Sequence, residues 1–119
     1  HLLTRVFPKT FHATFSLYIM SLYYIMEFFR ESDRAGKKYM TKINGRTYHF
    51  GAEGSETYLD HKDKSKRYNY IARHRVNERW DSVNAGSLSR YILWGTHTNL
   101  EKAIASYIKR FKLKDMRDS

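Results

Sequence analysis

Histidines and carboxylates are the side chains of this chain that could support catalysis or bind a metal. The histidines in the body of the chain come singly, at His49, His61, His74 and His97, whereas zinc sites use ligand pairs separated by about two to five residues. His61 and Asp63 have the types of an acid/base pair, but at a helix start both are explained by capping and solvation. No nucleophile-elbow, P-loop or dinucleotide-binding motif is present. We therefore predict a non-enzymatic protein with no catalytic residues, no metal site and no cofactor.

Basic side chains give a stronger functional signal. The chain has 22 Lys and Arg against 12 Asp and Glu, a net charge of +10, which attracts polyanions and acidic protein surfaces. The pattern predicts a helix over about residues 61–80, with Asp60 as its N-cap. Its inner face holds Tyr70, Ile71 and His74, followed by either Asn77 or Glu78. The other face is strongly basic. With the preceding hairpin it gives a candidate interaction surface made of Lys38, Lys42, Arg46, Lys62, Lys66, Arg67, Arg73, Arg75 and Arg79.

Two kinds of partner fit this basic surface. Nucleic acid would bind through its phosphates to the helix face of residues 62–79, with Tyr68 or Trp80 available to stack on bases. The alternative is a solvated face that docks on acidic neighbours in a protein assembly. No helix-turn-helix, zinc-finger or RNA-recognition motif can be written on this segment, so we favour a protein partner and keep nucleic acid as the alternative.

A β-hairpin is the clearest local element. Two alternating runs flank Asn44-Gly45, the dipeptide best suited to a type I′ turn. Because side chains alternate along strands, the apolar ones share one face and the basic and polar ones the other. The predicted register pairs Ile43 with Arg46, Thr41 with Tyr48 and Tyr39 with Phe50.

Two further helices are predicted after residue 80. Residues 87–94 form a short helix, followed by Gly95 at its C′ position. A period-3.6 apolar pattern from Leu100 to Phe111 predicts the last helix, with Thr98 and Glu101 as its capping box.

The segment before residue 30 differs in composition from the rest. Residues 11–29 form an apolar, aromatic run that is slightly shorter than the roughly 20 residues of a transmembrane helix and rich in Tyr and Ser. We favour a buried helix or strand, or an arm that packs on a neighbouring subunit, over a membrane span. The candidate anchor aromatics, with one tryptophan from later in the chain, are Phe15, Tyr18, Tyr23, Tyr24 and Trp80.

The predicted organisation has an apolar arm over residues 1–29, a single α+β domain over 30–111 and a charged, fraying tail over 112–119. In the domain, a β-hairpin of about residues 38–50 packs on two longer helices and one short helix, and a strand from the arm could join it. Trp94 is expected in the core, with an exposed interface anchor as the alternative.

A series of short motifs runs in order along residues 37–94. They are Lys37-Lys38-Tyr39, Asn44-Gly45, His49-Phe50-Gly51, His61-Lys62-Asp63, Arg67, Tyr70-Ile71, Arg73-His74, Trp80, Ala85-Gly86, Ser89-Arg90 and Leu93-Trp94. This series resembles a family of small uncharacterised proteins encoded by nucleocytoplasmic large DNA viruses of eukaryotes. The resemblance covers roughly residues 30–111 and leaves out the arm.

The resemblance implies a structural role in a large icosahedral virion. The expected function is that of a minor capsid protein that bridges or cements capsomers. Its partners would be the major capsid protein and neighbouring minor proteins, and its location the virion capsid, assembled in the host cytoplasm. Such proteins are held by arms, aromatic anchors and charge complementarity rather than by an active site.

Overall fold

A mixed sheet of four strands forms one layer of residues 24–117, the part of the chain that the computed structural model describes. The strands are β1 Tyr24–Glu31, β2 Lys37–Ile43, β3 Arg46–Ala52 and β4 Leu113–Asp115, in the order β3-β2-β1-β4. β1 pairs antiparallel with β2 and parallel with β4. The helices are α1 Tyr58–His61, α2 Lys64–His74, α3 Ala85–Leu88 with the π-helical segment Ser89–Leu93, and α4 Leu100–Arg110. The predicted α+β class is confirmed.

The predicted hairpin is confirmed together with its register. Asn44 and Gly45 have φ values of 52° and 83°, the two left-handed residues that a type I′ turn requires. On the helix-facing side, Ile43 and Phe50 are buried in the core. The strands pair as predicted: Ile43 with Arg46, Thr41 with Tyr48 and Tyr39 with Phe50.

β1 comes from the segment predicted as an arm. It lies inside the sheet between β2 and β4, so the predicted third strand is confirmed and the predicted division at residues 29 and 30 falls within a strand. Met26 is fully buried, and the Phe29 ring lies 5.4 and 5.7 Å from the Tyr39 and Phe50 rings. These apolar residues are therefore part of the core.

The rest of the predicted arm lies outside the described residues, and with it the candidate anchors Phe15, Tyr18 and Tyr23. Within residues 24–117, none of the helices has the length and apolar character needed to cross a membrane.

The single helix predicted over residues 61–80 is wrong. The structure has two helices there, and α2 ends at His74. Lys62 takes a left-handed conformation, φ 55°, and ends α1. Asp63 then starts α2 by accepting hydrogen bonds from the next backbone N–H groups, as an N-cap does.

The predicted N-cap, Asp60, has a different position. It lies inside α1, where its side chain accepts a hydrogen bond of 2.7 Å from the Thr57 backbone N–H and completes a capping box. The N-caps of α1 and α2 are therefore Thr57 and Asp63, and the second of them begins a new helix within the predicted span.

The predicted short helix over residues 87–94 is present but differs in form. It begins two residues earlier, after the N-cap Asn84. From Ser89 to Leu93 it becomes π-helical, and the Trp94 N–H donates to the Ser89 carbonyl at 3.0 Å. π-helical turns are rare and are often found at functional sites.

The last helix is confirmed, but its predicted capping box is wrong. The N-cap is Asn99, whose side chain accepts a hydrogen bond of 3.0 Å from the Lys102 N–H, and this places the helix start one residue after Thr98. α4 buries Ala103, Ile104 and Tyr107 against the sheet.

Part of the tail predicted to fray is ordered as β4. Leu113 is buried, and residues 113–115 pair with Tyr24, Ile25 and Met26 of β1. The partner strand comes from the other end of the described chain, so local sequence gives no sign of this pairing.

Gly95 lies at the predicted C′ position after the π-helical segment. Glycine is required there because the backbone of Tyr91 lies too close for a larger residue. A Cβ atom at Gly95 would lie 2.3 Å from the Tyr91 carbonyl oxygen. We expect Gly95→Ala to lower the free energy of unfolding by about 2–3 kcal/mol. Gly36→Ala is the control, since it has a positive φ but no atom within 4 Å, and it should cost about 1 kcal/mol. Urea unfolding measures both, and equal losses would contradict the steric argument.

Candidate functional site

Trp94 is the centre of an aromatic stack that joins the two parts of the helical layer. Its ring lies parallel to the Tyr70 ring, with centroids 4.5 Å apart. Tyr70 also stacks on His74 at 4.1 Å, and the His61 ring lies 5.3 Å from Trp94. Trp94 packs against the core, as the core interpretation predicts, and holds α1 and α2 against the π-helical segment.

Two arginines bind the carbonyl groups at the end of this segment. Arg67 Nε donates to the carbonyl oxygens of Trp94 and Gly95, both at 3.0 Å. Arg90 Nη1 donates to the same Trp94 oxygen at 3.2 Å. The last carbonyls of a helix lack partners within it, so the guanidinium groups satisfy them. Arg67, predicted as part of the interaction surface, therefore has a structural role.

The hairpin part of the predicted surface is also engaged within the protein. Lys38 Nζ donates to the Ser55 carbonyl at 2.8 Å, and Lys42 Nζ lies 3.8 Å from the Glu27 carboxylate. The Arg46 guanidinium lies 5.5 Å from the centre of the Tyr48 ring. Beyond the helix, Arg79 pairs with Asp81 at 3.4 Å.

Among the residues of the predicted surface, the cations that remain available lie on and next to α2. Lys62, Lys66, Arg73 and Arg75 are exposed, and among the described residues none has a carboxylate within 4.0 Å. Lys66 and Arg73 are seven residues apart and share one flank of the helix. Arg75, two residues after Arg73, lies on the opposite side of the helix. We call the other three side chains, Lys62, Lys66 and Arg73, the α2 basic face.

A cleft of about 610 Å³ opens between the hairpin, α2 and α3. Lys37, His49 and Arg73 line it together with a hydrogen-bonded pair, in which His74 Nδ1 and Glu78 Oε2 are 2.6 Å apart. The arrangement suits binding of a polar ligand, since the imidazole is held in place by the carboxylate.

The pair suggested by the sequence, His61 and Asp63, does not line this cleft. The Asp63 backbone N–H donates to His61 Nδ1 at 2.9 Å, and the Asp63 carboxylate caps α2. Hydrogen bonds from the backbone N–H groups of α2, chiefly that of Lys66, lower the pKa of Asp63. Over residues 24–117 no group of three potential metal ligands is found.

The two described anchor candidates differ in exposure. Tyr24, at the start of β1, is 51% exposed and is free to contact another molecule. Trp80 is half-buried, and its Nε1 donates to Glu78 Oε1 at 3.0 Å. Trp80 thus helps to hold the carboxylate that orients His74.

Sequence reasoning missed the roles of Glu78 and Arg90. Glu78 lies four residues after His74, and this spacing is a signal for a pair on one helix face, although the helix ends before Glu78. No sequence pattern indicated the role of Arg90, because its partner carbonyl becomes available only where the π-helical segment ends.

A family model with the description "Family of unknown function (DUF5754)" matches residues 28–74. The match covers less than half of the chain and runs from within β1 to the end of α2. It therefore includes the hairpin together with Lys62, Lys66 and Arg73. Comparison of the chain with curated proteins and with solved structures found no match.

The structural role of Arg67 predicts a large difference between neighbouring basic residues. Arg67→Ala should lower the free energy of unfolding by about 2 kcal/mol, since it removes charged donors from two carbonyls. Lys66→Ala, on the exposed face, should change it by less than about 0.5 kcal/mol. Chemical denaturation of both variants measures this, and equal stability would argue against the role of Arg67.

The buried stack predicts a loss of stability in alkali. Burial, with Glu78 nearby, raises the pKa of Tyr70 to about 12 from 10.0, so the fold favours the neutral phenol. This contribution is complete below pH 10 and is lost as the pH rises from 10 to about 12. Tyr70→Phe should unfold with a shallower pH dependence in this window. An unchanged slope by denaturant titration would contradict the assignment.

Proposed function

We propose that the protein is a non-enzymatic structural component of a large icosahedral DNA virus. It acts as a minor capsid protein that bridges or cements capsomers in the virion, after assembly in the host cytoplasm. The α2 basic face carries this proposal, because its exposed cations have no carboxylate partner among the described residues.

Charge complementarity makes acidic protein surfaces the partners of such a face. Exposed cations that form no pair within the protein gain most from a partner that supplies carboxylates. The other basic candidates contribute less, because Lys38, Lys42, Arg67 and Arg79 already have partners in the protein. We therefore assign docking on the major capsid protein, or on neighbouring minor proteins, to α2.

The position of β1 supports a role for the preceding segment in assembly. β1 is held between two strands, with Met26 in the core. An N-terminal segment that contacts a neighbouring subunit would therefore be joined directly to a strand inside the sheet. The viral setting itself comes from the order of motifs in the sequence.

Two measurements test the proposal. Mass spectrometry of purified virions of the encoding virus should detect the protein, and its absence would reject a capsid role. Purified capsomers should bind the full chain, and Lys66→Glu with Arg73→Glu should weaken binding at least about tenfold. The matched control is Lys102→Glu with Lys109→Glu, which has the same seven-residue spacing on exposed positions of α4. Equal weakening by both pairs would show only a net-charge effect.

A viral nucleic-acid-binding protein is the second candidate. Tyr68, in α2, is 71% exposed and lies on the same flank as Arg75, seven residues on, where a base could stack beside phosphate contacts. The capsomer assay repeated with DNA separates the two candidates. DNA binding that falls steeply with salt, and that Tyr68→Ala with Arg75→Glu removes, would favour this candidate.

A further inference from the structure

Arginine and aromatic side chains form a second cluster, around the π-helical segment. Arg67 and Arg90 donate to one oxygen atom, the Trp94 carbonyl. The guanidinium carbons of Arg90 and Arg110 lie 4.9 and 3.9 Å from the centre of the same Tyr91 ring. The three arginines are thus linked through two shared contacts, and we call them the arginine patch.

Within residues 24–117 the patch has no carboxylate partner. None of its three guanidinium groups has a described Asp or Glu within 4.0 Å. Glu78 and Asp81 line a depression of about 640 Å³ with Arg110 and Tyr91, but both are already engaged. Glu78 binds His74 and Trp80, and Asp81 pairs with Arg79.

Within the patch, the arrangement disfavours the charged form of Arg90 in particular. Its burial, with Arg67 and Arg110 nearby, lowers its pKa. Its Nε is buried and has no acceptor among the described residues. Its guanidinium carbon lies 5.2 Å from the centre of the Trp80 ring. Three like charges held together without a carboxylate among the described residues would be stabilised by a bound anion.

The geometry of the patch suits one class of anion. A guanidinium group is planar and can bind two oxygens of a phosphate at once, and an aromatic ring beneath it fixes its orientation. Tyr91 does this for Arg90 and Arg110, and both Arg90 and Tyr91 lie in the π-helical segment. The two residues are therefore held by a backbone form that often occurs at functional sites.

We propose that the arginine patch binds a phosphate group through Arg90 and Arg110, with Arg67 adding positive charge beside them. Two sources have this chemistry, a small phosphorylated molecule and the phosphodiester backbone of nucleic acid. This site uses none of the residues of the α2 basic face, so its test does not depend on the proposed capsid role.

The test uses the full chain and inorganic phosphate as the probe. NMR spectra of the arginine Nε–H groups should show saturable shifts at Arg90 and Arg110 with phosphate, but not with chloride at equal ionic strength. Arg110→Gln should weaken phosphate binding about tenfold, because it removes one guanidinium from the pair. Lys109→Gln is the control, since it removes the same charge from the adjacent exposed residue of α4, and should leave binding within about twofold.

Arg110→Lys separates recognition by shape from attraction by charge. It keeps the charge but loses the planar fork, so it should also weaken binding. Unfolding midpoints confirm that each variant folds. Absence of saturable shifts, or equal effects of Arg110→Gln and Lys109→Gln, would overturn the site, as would full retention of phosphate affinity in Arg110→Lys.

A short oligothymidylate identifies the source of the phosphate. Tighter binding than inorganic phosphate, with loss in Arg110→Gln, assigns the patch to a nucleic acid backbone. Saturable phosphate binding without a gain from the oligonucleotide assigns it to a small phosphorylated ligand. Both results support the phosphate site and differ only in its occupant.

Discussion

The attachment of α2 depends on the contacts around Trp94. Tyr70 is the one residue that α2 buries among those described, so the helix has little apolar surface with which to hold its position. The Tyr70–Trp94 stack and the Arg67 hydrogen bonds to the Trp94 and Gly95 carbonyls supply what the apolar face lacks. Because these contacts fix the rotation of α2, they also decide which of its basic side chains face outward.

The same junction explains why basic residues in this protein have different roles. Arg67 and Arg90 both donate to carbonyl groups at the end of the π-helical segment, which a guanidinium group with five N–H donors can do from several directions. A lysine one position away from Arg67 points outward and is available to a partner. The net charge alone therefore overstates the number of basic residues available for binding, since some of them stabilise the fold.

Local patterns predicted the elements that depend on nearby residues. The hairpin register follows from Asn44-Gly45, because a two-residue turn leaves one pairing. The last helix follows from its apolar period. The helix over 61–80 was wrong because Asp60 and Asp63 are both good candidate N-caps, and periodicity does not decide between them. In the structure Asp63 caps α2, whereas Asp60 belongs to the capping box of Thr57. The capping box at Thr98 was wrong for a similar reason, since Asn99 is an equally good cap.

The sequence by itself determined the α+β class, the hairpin with its faces and the excess of positive charge. Only the tertiary structure decided where that charge is available. The pairing of β4 with β1, the shared Trp94 carbonyl and the shared Tyr91 ring all join residues far apart in the chain. Such contacts depend on how elements pack, which periods and caps do not encode. The basic residues were therefore visible in the sequence, but their division between structure and binding was not.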